Sequence, residues 1–141
     1  MAQESHGVRM SAAVMFVRNL ARSERFYTEV LGLPVVDRSP TAALLGQAGG
    51  PQLVLRAFGE NAAHALGSLG VQYLVWSTDS RAELDRMAGL LRQRSALKDT
   101  HEKDDGASVE GRDPDDLVIM LVYAPAGHSG IHSLPARIYA W

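Results

Sequence analysis

Apolar and polar positions along this chain follow two rhythms, and the change from one to the other happens twice. Ser11 to Val17 reads as a buried strand of small and branched apolar residues. The stretch ARSERFYTEVL then places Phe26 with Val30, and Tyr27 with Leu31, at i, i+4 spacing on one helical face. The same change recurs after Val71, where VQYLVWST gives way to a helix striped by Leu84, Met87, Leu90 and Leu91. SAAVMFVRNLARSERFYTEVLGL from Ser11 and VQYLVWSTDSRAELDRMAGLL from Val71 match at an offset of about 61 residues, with Ala12 on Tyr73, Phe26 on Met87 and Val30 on Leu91. Each copy is a strand-helix unit with an apolar face to bury, so two similar modules sharing a cleft are predicted.

The element ends are signed as well. Asn19 is placed to cap the first helix and Gly32 to stop it in the left-handed conformation, while Ser80 and Glu83 form a capping box for the second. In the first half, strand patterns LPVVDR, TAALLG and QLVLRAF are separated by Ser39-Pro40 and Gly49-Gly50-Pro51. In the second, ALKDTH, ASVEGR and LVIMLVY are separated by Asp104-Asp105-Gly106 and Asp113-Pro114-Asp115-Asp116. The predicted fold is α+β: two βαβββ modules forming curved mixed sheets around a groove, with the helices outside. An N-terminal arm (1–9) precedes a single domain (10–125), divided into module one (10–58), a connection (59–70) and module two (71–125). On the first strand Ala13, Met15 and Val17 share one face and Ala12, Val14 and Phe16 the other; periodicity does not say which lines the groove. The tail, 126–141, carries Ile131, Leu134, Ile138, Tyr139 and Trp141. That is too much apolar surface for a free terminus, so the tail is expected to pack, as a lid on the groove or against a second subunit.

Composition narrows the partners. With 46% hydrophobic and 21% charged residues, the 141-residue chain has enough apolar material for a core. Its net charge of -2 comes from 14 basic and 16 acidic residues without a basic stripe, so nucleic acid is not an expected partner. No apolar run approaches the roughly 20 residues of a membrane span, and no membrane partner is expected. Having no cysteine, the chain lacks disulfides, thiolate nucleophiles and thiolate metal sites. The polar start MAQESHGVR has no signal-peptide core, which makes a cytoplasmic location the expectation.

FVRNLARSERFYTEVLGL resembles the first strand, helix and Leu-Gly-Leu turn of the vicinal oxygen chelate superfamily, which includes glyoxalases, extradiol dioxygenases, fosfomycin-resistance enzymes and bleomycin-binding proteins. GRDPDDLVIMLVYAP resembles its last hairpin, and the likeness covers roughly residues 10–125. The resemblance implies a homodimer and, in the family's enzymes, a divalent metal held by His, Gln or Glu on the first, fourth, fifth and eighth strands. Carried over, those positions are Ala12, Val54, Tyr73 and Met120. Methyl, isopropyl and thioether groups offer nothing useful to Zn²⁺, Fe²⁺ or Mg²⁺, and a neutral phenol offers little. Among the neighbours Ser11, Ala13, Leu53, Leu55, Gln72, Leu74, Ile119 and Leu121, only Gln72 is a conceivable donor. The expectation is therefore no metal and no cofactor. The same mapping implies an apolar groove with a few polar groups, as small-molecule pockets have.

Its candidate ligand contacts are Phe16, Gln52, Val54, Arg56, Tyr73, Val75, Met120 and Trp141. Tyr73 can anchor a ligand or move a proton, although a strand tyrosine often only buries its ring. Arg56 can clamp an anion, or it can sit salt-bridged at an edge. His101, among Asp99, Glu102, Asp104 and Asp105, can be a carboxylate-oriented base, but a solvated hairpin turn is the plainer expectation. His64 belongs to the connection. His128 and His132 have i, i+4 spacing, but Gly127 and Gly130 argue against the helix that a metal pair there requires. Leu74 and Trp76 are assigned to the core.

Two classes of function stay open. One is a metal-independent protein that binds an apolar or aromatic small molecule, such as an antibiotic or secondary metabolite. The other is a metal-independent isomerase, cyclase or lyase in which Tyr73 or His101 moves protons and Arg56 stabilises an oxyanion. A metal-dependent dioxygenase or glyoxalase would need ligands from unexpected places such as His6, His101 or His128.

Overall fold

The structure, a computed structural model, describes residues 7, 10–47, 50–61, 71–127 and 133–138. The expectations for His6, His64, His128, Ile131, His132, Tyr139 and Trp141, and for nearly all of the arm and the connection, lie outside the described residues. The chain divides into two compact units, Met1–Ala62 and Ala63–Trp141.

Unit 1 consists of β1 (Ala12–Val17), α1 (Leu20–Glu29), β2 (Val35–Arg38), β3 (Ala42–Gly46) and β4 (Gln52–Ala57). Its sheet has the order β1-β4-β3-β2, with β1 parallel to β4 and the other pairs antiparallel. The Asn19 side chain accepts the Arg22 amide at 2.9 Å, which satisfies one of the free donors at the start of α1. Gly32, at φ +70°, lets the chain turn after the helix. Phe26, Tyr27, Val30 and Leu31 are buried on one side, and Val17, Ala43, Leu45, Leu53 and Leu55 are buried from the sheet. The alternation of β1 is thereby resolved: Val17 is buried and the face of Ala12, Val14 and Phe16 is exposed.

Unit 2 repeats the order with β5 (Leu74–Ser77), α2 (Arg81–Gln93), β6 (Leu97–Lys103), β7 (Gly106–Arg112) and β8 (Val118–Tyr123), followed by a 3₁₀ turn at Ala136–Ile138. The sheet order is β5-β8-β7-β6, again with the first pair parallel. Ser80 accepts the Glu83 amide at 3.1 Å, and Leu84, Met87, Ala88 and Leu91 form the buried stripe of α2. Leu90 is only half-buried, so Ala88 fills the inner position that the apolar pattern assigned to Leu90. Asp104 and Asp105 take φ of +53° and +65°, left-handed values that suit a two-residue hairpin turn and that Asp tolerates. Among the described residues no helix is long and apolar enough to cross a membrane.

Two expectations need correcting. Tyr73 precedes the strand rather than lying in it, because ladder pairing with β8 begins at Leu74. His101 is not in a solvated turn; it sits half-buried within β6, opposite Ser108, since the strand runs on to Lys103 before the Asp104-Asp105 turn.

Candidate functional site

In each unit the sheet face opposite the helix carries the candidate chemistry. On unit 1 the ladders align Phe16 with Arg56 and Ala42, Val14 with Val54 and Leu44, and Ala12 with Gln52. Val14 and Phe16 are 62% and 55% exposed. The Phe16 ring stacks on that of Phe58 with centroids 4.7 Å apart and planes 7° from parallel. The result is an apolar face bearing an aromatic pair beside one exposed guanidinium, Arg56. Phe58, the last residue of the QLVLRAF pattern and one past the observed end of β4, is not among the sequence candidates.

On unit 2 one row across the sheet reads Val75, Met120, Glu110, Asp99, and the next reads Ser77, Val122, Ser108, His101. The rows grade from apolar at β5 and β8 to polar at β7 and β6. Val118, Met120 and Val122 form a cluster with Leu134 from the C-terminal segment, and Tyr73 packs against it. Met120 is 1% exposed and Leu134 0%, so residues 133–137 cover this part of the face.

Glu110, whose side chain is 12% exposed, accepts a 2.6 Å hydrogen bond from Arg137 Nη2 and lies 3.8 Å from Arg112. That hydrogen bond, and then the carboxylate's charge, raise the Arg137 pKa above its ordinary value; desolvation opposes them, and Tyr73 and Asp99 add smaller support. Asp99, Thr100, His101, Ser108, Glu110, Met120, Pro135 and Arg137 line a shallow dent open to solvent. His101 Nε2 is shielded and has no hydrogen-bond partner there. Glu110, Ser108, Leu134 and Arg137 were missed as site residues. The first two could have been found from the alternation of ASVEGR once the register was known, whereas nothing local marks Arg137.

The structure places the eight candidate ligand contacts as follows. Phe16, Gln52, Val54 and Arg56 share the helix-free face of unit 1. Val75 and Met120 are register partners on unit 2 with Tyr73 beside them, and Trp141 lies outside the described residues. The positions that the resemblance equates with metal ligands hold an exposed Ala12, half-buried Val54 and Tyr73, and a fully buried Met120. No group of three His, Cys, Asp or Glu suited to a metal ion occurs among the described residues. The carboxylate of Glu110, the register partner of Met120, is engaged by Arg137. This donor set does not fit the family's metal.

Two sheets built alike, each with a helix between a parallel outer pair of strands and an antiparallel hairpin, define the class of duplicated βαβββ proteins. The chain belongs to the Glyoxalase/Bleomycin resistance protein/Dioxygenase superfamily, whose profile matches residues 9–135. It is similar to a glyoxylase/bleomycin resistance protein/dioxygenase domain from Frankia sp. EAN1pec, at 27% identity and a TM-score of 0.68 over 92% of this chain and 99% of that one. A glyoxalase/dioxygenase from Nostoc punctiforme shares the fold at 17% identity and a TM-score of 0.72, covering 89% of this chain and 98% of that one. So does lactoylglutathione lyase from Agrobacterium tumefaciens, at 20% identity and a TM-score of 0.63, covering 82% and 93%. No curated protein matches the chain.

Proposed function

We propose that this chain is a metal-independent small-molecule-binding protein of its superfamily, taking an apolar or aromatic ligand of the antibiotic or secondary-metabolite kind. The observation that carries the reading is the chemistry of the unit 1 face. Its stacked Phe16 and Phe58 offer an exposed aromatic surface, Val14 and Val54 extend it, and Arg56 is the register partner of Phe16. A planar ring can stack there while the guanidinium takes an anionic or electron-rich substituent. The alkyl, phenol and thioether groups at the metal-equivalent positions support metal independence.

Isothermal titration against a panel of aromatic metabolites and antibiotics is expected to find a ligand binding tighter than millimolar, with affinity unchanged after exhaustive chelation. Phe16→Ala should weaken that ligand by about tenfold, the usual effect of removing an aromatic anchor. Failure of every compound, or loss of binding on chelation, would overturn the reading. A chelation-resistant turnover that disappears in Tyr73→Phe or His101→Ala would instead favour the metal-free enzyme. A homodimer belongs to the same proposal, supported by exposed Met10, Val36 and Val71. Sedimentation equilibrium should then give twice the 15.3 kDa chain mass, and a monomer at all concentrations would sink that part.

A further inference from the structure

The two units treat corresponding faces of their sheets differently. β4 of unit 1 leaves Val54 half-buried and Arg56 exposed, whereas β8 of unit 2 buries Val118, Met120 and Val122 in a cluster with Leu134. Glycine at position 106 makes room for the covering segment, since a Cβ there would meet Ser133 Oγ. A single ionic latch holds its other end, where Arg137 reaches Glu110 at 2.6 Å.

We propose that residues 133–137 occupy this face as a displaceable stand-in for a ligand, and that the ligand replacing them is an apolar body carrying a cation: an amine, amidine or guanidinium. The inference rests on the reading that helix-free faces of this protein receive small molecules, and it adds a second site of opposite charge preference to the Arg56 face. Leu134 plays the apolar part and Arg137, three residues on, the cationic part.

One feature marks the segment as an imperfect occupant. It leaves His101 Nε2 shielded without a partner, beside a shallow dent that His101 lines with Met120, Glu110, Pro135 and Arg137. A permanent core contact normally satisfies its buried polar atoms. The latch is also open to exchange, since the Arg137 side chain is 55% exposed while that of Glu110 is 12% exposed.

The sign of the ligand follows from Glu110. When Arg137 leaves, this largely buried carboxylate keeps, among the described residues, only Arg112, 3.8 Å away and itself donating to the Asp116 carbonyl. A neutral ligand would leave the carboxylate under-compensated and an anionic one would oppose it, whereas a cation replaces one charge-assisted hydrogen bond with another.

The test uses the full chain and three probes with one aromatic body: 2-naphthylmethylammonium, 2-naphthylmethanol and 2-naphthoate. The ammonium probe is expected to bind wild type more tightly than the alcohol and to expose the amides of 133–137 to hydrogen exchange at saturation. Arg137→Gln, a change at an exposed side chain, frees the carboxylate and should tighten the ammonium probe by about tenfold, because less of the protein is then held in the occupied state. Glu110→Gln should erase the preference for ammonium over alcohol.

Ammonium affinity that ignores both substitutions, unchanged exchange of 133–137 at saturation, or no ammonium binding to wild type or Arg137→Gln would each overturn the proposal. Naphthoate or alcohol binding that depends on Phe16 but not on Glu110 or Arg137 would leave the proposed function standing while this inference fell. Ammonium binding that depends on Glu110, with no aromatic compound binding in a Phe16-dependent way, would do the reverse.

Discussion

Replacing Leu91 with alanine is expected to cost unit 2 about 3–5 kcal/mol, the range for a fully buried leucine whose cavity cannot collapse. Leu91 is 0% exposed at the C-terminal end of the buried stripe of α2. It meets β7 at Gly111, where even a Cβ would come within 2.8 Å of Leu91 Cδ1. The opposing position is thus bare backbone, with no side chain to swing into the space. Urea denaturation, followed by α2 and β7 amide exchange, should show the loss. Leu90→Ala, one residue along but half-buried, is the control and should cost much less. Equal effects from the two would mean that the helix face is misassigned.

Asp113→Ala should come next, at about 2–3 kcal/mol, from stranding buried donors. Asp113 is 4% exposed, and its Oδ1 accepts the amides of Asp115 at 2.8 Å and Leu117 at 2.9 Å. Its own amide donates to the Leu117 carbonyl and its carbonyl accepts from the Asp116 amide, both at 2.9 Å. One side chain therefore organises the turn that delivers β8, including Asp116 at φ +67°. Asp113→Asn keeps the acceptor and should recover most of the loss in thermal unfolding. An asparagine variant as unstable as the alanine one would assign the effect to charge instead of turn geometry.

Much of this architecture is legible from local chemistry. The helix caps Asn19 and Ser80 and the turn residues Asp104, Asp105 and Asp113 act within a few residues of themselves, so their roles can be read along the chain. The repeat at an offset of about 61 residues announced two βαβββ units because a strand-helix alternation depends on periodicity alone. His101 shows where such reading stops. Its acidic neighbours look like a solvated turn, yet the β6–β7 register carries the strand past it and sets it opposite Ser108. Leu90 and Ala88 show a smaller version, since the orientation of α2 on its sheet decides which small or large residue is inside.

What the amino-acid sequence determined by itself is the list of elements, with their order and ends. These follow from side-chain type and short-range spacing. Tertiary structure alone decided that Glu110 adjoins Met120, that Arg137 reaches Glu110 from 27 residues away, and that Leu134 buries the floor of one sheet while Phe16 stays exposed on the other. Such contacts depend on ladder register and on where a returning segment comes to rest, and neither leaves a periodic mark on the residues that make them.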